Sequence, residues 1–143
     1  MKFKTPIPDL SRFVQAQANI YESALGELRR RQKRGHWMWF VFPQLAGLGR
    51  SEMAERYAIS GLEEAREYLA HSILGPRLRE CMLAVLESGN SVGSIFSYPD
   101  DLKFHSCATL FAEASNGGDP FSEVLSKLFG GRVDQKTLRL LAG

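Results

Sequence analysis

The stretch Arg34-Gly35-His36-Trp37-Met38-Trp39-Phe40-Val41-Phe42-Pro43-Gln44, continued by Leu45-Ala46-Gly47-Leu48-Gly49-Arg50-Ser51, decides how the rest of the chain is read. It holds both tryptophans of the protein, two residues apart, next to a histidine and two phenylalanines. Apolar residues fall on both parities between 37 and 42, so no helical period runs through it. It reads either as a short extended segment buried on both faces or as a helical turn threaded through the core. Pro43 stops it in either case. Residues 37–42 are the only strand candidate in the chain. Everything outward from them carries helical spacing, which gives the fold expectation: mainly α, a single irregular multi-helix domain of about seven or eight short helices, with little or no β.

Upstream, Pro6 and Pro8 keep residues 1–8 as an extended N-terminal arm, and residues 9–143 form the helical domain. Asp9 is placed to cap a first helix carrying Leu10, Phe13, Val14 and Gln17. A second helix, with Ile20, Tyr21, Ala24, Leu25 and Leu28 as its stripe, is expected to run to the basic end 29–34 and stop at Gly35. That basic end is either an ordinary solvated helix terminus or an anion-binding rim beside the tryptophans. Downstream, Ser51 is an N-cap for a helix over 52–59, and Ser60-Gly61-Leu62-Glu63 reads as a capping box. Residues 72–88 have the clearest amphipathic pattern and are expected to be the central helix. Ser91 caps a short turn. A helix opens at Tyr98-Pro99-Asp100-Asp101 with Leu102, His105, Cys107, Leu110 and Phe111 inward. Asp119-Pro120 and Asp134 start the last two.

The chain of 143 residues is one domain's length, and 44% hydrophobic with 24% charged residues is globular composition. A net charge of +2 is too balanced to imply a nucleic-acid partner. No apolar run reaches the ~18 residues of a membrane span, and Met1-Lys2-Phe3-Lys4-Thr5-Pro6 has no apolar leader region, so a cytoplasmic location without a membrane partner is expected. Cys81 and Cys107 lie in apolar helical surroundings and read as buried free thiols. His36, His71 and His105 are scattered without metal-ligand spacing, so neither metal nor cofactor is expected.

Chemistry concentrates in residues 34–51. Trp37 or Trp39 offers a flat wall for a base, or else simply packs in the core. Gly47-Leu48-Gly49-Arg50-Ser51 runs into a helix start, where N–H groups, an arginine and a hydroxyl converge as they would on an anion. His36 lies at the mouth of the aromatic run. The acidic pairs Glu63-Glu64 and Asp100-Asp101 stand at helix starts, where carboxylates are favoured without any catalytic role.

The strings Arg12-Phe13-Val14-x-Ala16-Gln17, Tyr21-x-x-Ala24-Leu25-x-Glu27-Leu28, His36-Trp37-Met38-Trp39-Phe40-Val41-Phe42-Pro43-Gln44, Ala54-x-Arg56-Tyr57-Ala58-Ile59 and Leu74-Gly75-Pro76-Arg77-Leu78 resemble a bacterial family, domain of unknown function 1810. The resemblance runs from Leu10 to about Leu141 and implies a mainly α fold with no settled activity. The family is often labelled calpastatin, the name of a disordered calpain inhibitor, which a globular helical sequence does not resemble. Phe13-Val14-Gln15-Ala16-Gln17 with Gly49-Arg50 is more distantly similar to the NADAR group, associated with NAD, ADP-ribose and N-glycosidic bond cleavage. In that group a lysine follows the second glutamine. Ala18 stands there here, so Lys103 or Arg50 would have to supply the charge.

The leading expectation is a nucleotide- or ADP-ribose-like small molecule, bound or hydrolysed in a cleft between residues 36–51 and the helix over 100–111. In it Trp37 or Trp39 stacks on a base. Arg50 and Ser51 hold phosphate, and Arg56 and Tyr57 line the rim. His36, Gln44 and Lys103 orient polar groups or stabilise charge. The alternative is a non-enzymatic interaction module, with the aromatic stretch as core and the basic 29–34 end recruiting an acidic partner.

Overall fold

Ser11–Gln17 (α1) and Tyr21–Arg29 (α2) are followed by a one-turn helix, Met38–Val41 (α3). Then come Glu52–Arg56 (α4), Leu62–Ala70 (α5), Leu74–Glu87 (α6), Val92–Ile95 (α7), Asp100–Ala114 (α8), Phe121–Phe129 (α9) and Gln135–Ala142 (α10). This computed structural model describes residues 9–143, so the arm expected over 1–8 lies outside it. Ten helices among the described residues, where about seven or eight were expected, reflect the one-turn segments α3 and α7. Among the described residues there is no sheet, only a parallel bridge between Leu45 and Ile59, made by Ile59 N–H to Gln44 C=O and Ala46 N–H to Ile59 C=O, both 2.8 Å.

The aromatic stretch resolves as a helical turn, which removes the strand candidate at 37–42. A lone extended segment would have left its peptide groups without ladder partners. The turn pairs Val41 and Phe42 N–H with the Trp37 and Met38 carbonyls instead. Phe42 then meets Phe96 and Phe104 edge-on, with ring centroids 6.0 and 5.1 Å apart. The run therefore ties the N-terminal half to α7 and α8.

The central helix is α8, and the expectation that it would be 72–88 is corrected. From Phe104 to Ala112 every α8 residue except His105 is buried. A helix apolar or small on all sides is one enclosed by the rest of the molecule, and α8 packs on α5, α7, α9 and α10. Its two buried hydroxyls, Ser106 and Thr109, donate to carbonyls one turn back at 3.0 and 2.9 Å, so they burden the core little. Leu102, expected inward, is 52% exposed at the helix's open first turn.

Ser51, Ser91 and Asp134 accept from Ala54, Ser94 and Thr137 N–H as cap residues should. Four helix starts differ from expectation. Asp9 lies one residue before Leu10, the cap residue of α1, and accepts from Ser11 N–H at 3.0 Å. Glu64, not Glu63, accepts from Ser60 N–H at 2.7 Å while also pairing with Arg12 at 3.2 Å. Helix α6, expected from residue 72, starts at Leu74, where His71 Nδ1 receives Ile73 and Leu74 N–H. Pro120 is itself the cap residue of α9, and Asp119 accepts from the Ser122 hydroxyl instead. Helix α2 also ends at Arg29, well before Gly35, because Arg31 enters the left-handed region at φ +66°.

Candidate functional site

Beyond α2 the chain wraps around a carboxylate. Glu27 Oε1 accepts from Arg34 N–H (2.8 Å), Gly35 N–H (2.9 Å) and Trp37 Nε1–H (2.9 Å). Burial works to raise the Glu27 pKa, but these donors and the nearby Lys33 ammonium hold it below the usual carboxylate range. The wrap fixes Lys33. Its Nζ lies 2.8 Å from Asp100 Oδ2, donates to Gly35 C=O at 2.6 Å and sits 5.2 Å from the Trp37 ring centroid. The other oxygen of Asp100 is 3.6 Å from Lys103 Nζ, which in turn lies 5.3 Å from the Trp39 ring centroid. Two ammonium groups thus share one carboxylate, and each lies over an indole face.

Lys103 borders a cleft of about 240 Å³. Gln44 and Gly49 supply one wall, Lys103 and Ser106 of α8 a second, and Asp134 and Lys136 at the start of α10 a third. Asp134 Oδ2 is engaged as a cap, receiving the Ser106 hydroxyl (3.1 Å), the Thr137 hydroxyl (2.5 Å) and Thr137 N–H (3.2 Å). The cleft can present two ammonium groups, a primary amide and a carboxylate to a small polar ligand.

The structure brings Gln44 and Lys103 to this one cleft, with Trp39 half-buried beneath Lys103. It does not bring the other named residues there. Trp37 is 2% exposed and offers no face to a ligand. His36 is exposed and outside the lining. Arg50 is exposed and forms no ion pair among the described residues. Ser51 uses its hydroxyl on Ala54 N–H at 3.1 Å, and the five-residue α4 is too short to focus much dipole. Arg56 pairs loosely with Glu52 at 3.9 Å. Tyr57 packs on Phe13 and Phe40, with centroids 5.7 and 5.3 Å away.

The glycines of the expected anion loop have packing reasons. A Cβ on Gly49 would come within 2.6 Å of Ala54 Cβ, and Gly47 has φ +99°. Sequence reasoning missed Lys33, Asp100, Asp134 and Lys136 as site neighbours. Asp100 and Asp134 were legible only as helix-start residues, and that local role hides a tertiary one. Among the described residues no cluster of three His, Cys, Asp or Glu could hold a metal, and no helix is long and apolar enough to cross a membrane.

Comparison with curated proteins finds no match. Among solved structures, the conserved hypothetical protein Rv1873 from Mycobacterium tuberculosis, a crystal structure at 1.38 Å, is similar at 55% identity and a TM-score of 0.91. The match covers 94% of this chain and 97% of that one, so the same fold extends over both. The model of the family described as protein of unknown function DUF1810 matches residues 7–141, and the chain belongs to that family.

Proposed function

We propose that the cleft between residues 44–49 and α8 binds the phosphorylated sugar end of a nucleotide- or ADP-ribose-like ligand. The observation that carries the reading is Lys103, held by Asp100 on one side and by Trp39 on the other at the edge of the cleft. A lysine fixed in this way loses less side-chain freedom when it meets a phosphate, and Lys136 adds a second cation across the cleft. Gln44 supplies both donor and acceptor for sugar hydroxyls. At about 240 Å³ the cleft falls below the ~300–1,000 Å³ of sites that enclose a whole drug-sized ligand. It therefore takes one end, and the rest lies outside along the surface. N-glycosidic hydrolysis, the group chemistry suggested by the NADAR resemblance, would bond a water oxygen to the sugar carbon as the carbon–nitrogen bond breaks. The bond pair would leave with the nitrogen, as neutral nicotinamide in the case of NAD, and the water proton would pass to solvent.

Isothermal titration with ADP-ribose, NAD and ribose 5-phosphate tests binding. Saturable binding is expected, weakened about tenfold to a hundredfold by Lys103→Ala, as loss of a charged hydrogen bond of ~1.5–3 kcal/mol implies. Chromatography of NAD incubated with the protein tests cleavage separately. No binding to any of the three, or equal binding by Lys103→Ala, overturns the proposal.

A further inference from the structure

A second concavity, of about 660 Å³, lies between the end of α2 and the outer face of α6 and shares no residue with the cleft. Its floor is apolar and includes Leu83, which is 39% exposed. Its rim sets Arg29, Arg31 and Arg79 against Glu80 and Glu87. These charges are not equally available. Glu80 accepts the Tyr21 hydroxyl on one oxygen and faces Arg29 at 3.3 Å with the other. That leaves Arg31 and Arg79 against Glu87 alone.

Both arginines are anchored. Arg31 Nε donates to Ser88 C=O, at the end of α6, at 3.0 Å, and Arg79 Nη1 donates to Leu69 C=O at 3.3 Å. The left-handed backbone of Arg31, costly for a residue with a side chain, turns the chain at the end of α2 and sends this side chain across to α6. A guanidinium has five N–H donors, so each anchored one keeps several for a carboxylate. Two fixed guanidinium groups beside an exposed leucine match acidic side chains flanking an apolar one. Glu87 in the rim and the apolar floor disfavour a nucleic-acid backbone, which asks for cations alone.

We propose that this groove docks an acidic peptide segment of a partner protein, its carboxylates on Arg31 and Arg79 and an apolar side chain on Leu83. The test is selection from a phage-displayed library of random dodecapeptides on the full chain, with the double variant Arg31→Glu, Arg79→Glu as counter-selection. The selected sequences should be rich in Asp and Glu around a large apolar residue. A synthetic peptide of that sequence should bind about tenfold or more weakly to the double variant. It should lose affinity equally in Leu83→Ser, a surface change whose melting temperature stays near wild type, and keep its affinity in Lys103→Ala. The last arm separates this groove from the cleft, since failure of either leaves the other standing. No enrichment, enrichment of neutral or basic sequences, or equal binding by Leu83→Ser overturns the proposal.

Discussion

Glu27 has left water almost completely, at 8% exposure, and receives three N–H donors in exchange. Its pKa is depressed on folding, so the sign follows directly. The stability it contributes is complete above its unfolded pKa of ~4.3. It is lost as pH falls through that value toward the folded one. Glu27→Gln keeps one acceptor oxygen but no charge. The exchange of charged for neutral hydrogen bonds is expected to cost ~2 kcal/mol at pH 7. The variant should also show a shallower fall in stability below about pH 4.3. Urea unfolding at neutral and acid pH measures both, and a variant with the wild-type acid slope would show that another carboxylate dominates. Little of this was visible beforehand. The basic end and Gly35 resemble a helix C-terminus in every residue type, and the residue that actually turns the chain is Arg31. A left-handed arginine carries no compositional signal, because the conformation is held by a turn bond to Leu28 C=O and a tertiary one to Ser88 C=O rather than by its own preference.

Gly49 and α4 show how an element borrows space from a loop. The Gly49 backbone is outside the left-handed region, so its lack of a side chain serves contact rather than torsion. Gly49→Ala forces two Cβ atoms to 2.6 Å and should destabilise by ~1–3 kcal/mol, as overpacking does. Ala54→Gly alone should cost ~1 kcal/mol of helix propensity. The double variant should be more stable than the sum of the two, because it removes the clash, and calorimetric melting gives the coupling. At this scale much was legible. Ser51, Ser91 and Asp134 were read as caps because capping is a local bond between neighbours in sequence. What each element touches was not, since the meeting of Gly49 with Ala54, or of Asp134 with Ser106 across 28 positions, depends on the whole path between them.

At the scale of the molecule, the apolar pattern of 72–88 drew attention to α6, whereas α8, with its weaker pattern, is the helix the others enclose. Amphipathicity marks a boundary between core and water, and an enclosed helix has no such boundary to mark. The two cysteines, expected as buried thiols, sit one on each of these helices and are both 0% exposed. Burial pushes the Cys81 thiol up to about 12 and the Cys107 thiol well above its ordinary range, so neither supplies thiolate while folded. Ellman's reagent should therefore label both only through opening of the core, at one shared rate that rises with urea in step with the global equilibrium. A thiol labelled at the rate of a free cysteine in native buffer would show that its helix opens alone. The same clock reads the cleft. A ligand that binds only the folded chain lowers the open population by its binding factor, so ADP-ribose at ten times its dissociation constant should slow both thiols about tenfold. Lys103→Ala should remove that protection, and the ratio of its labelling rates with and without ADP-ribose should fall to about one. Protection of Cys107 without Cys81 would instead mean that the ligand stiffens α8 locally and that α6 unfolds as a separate unit.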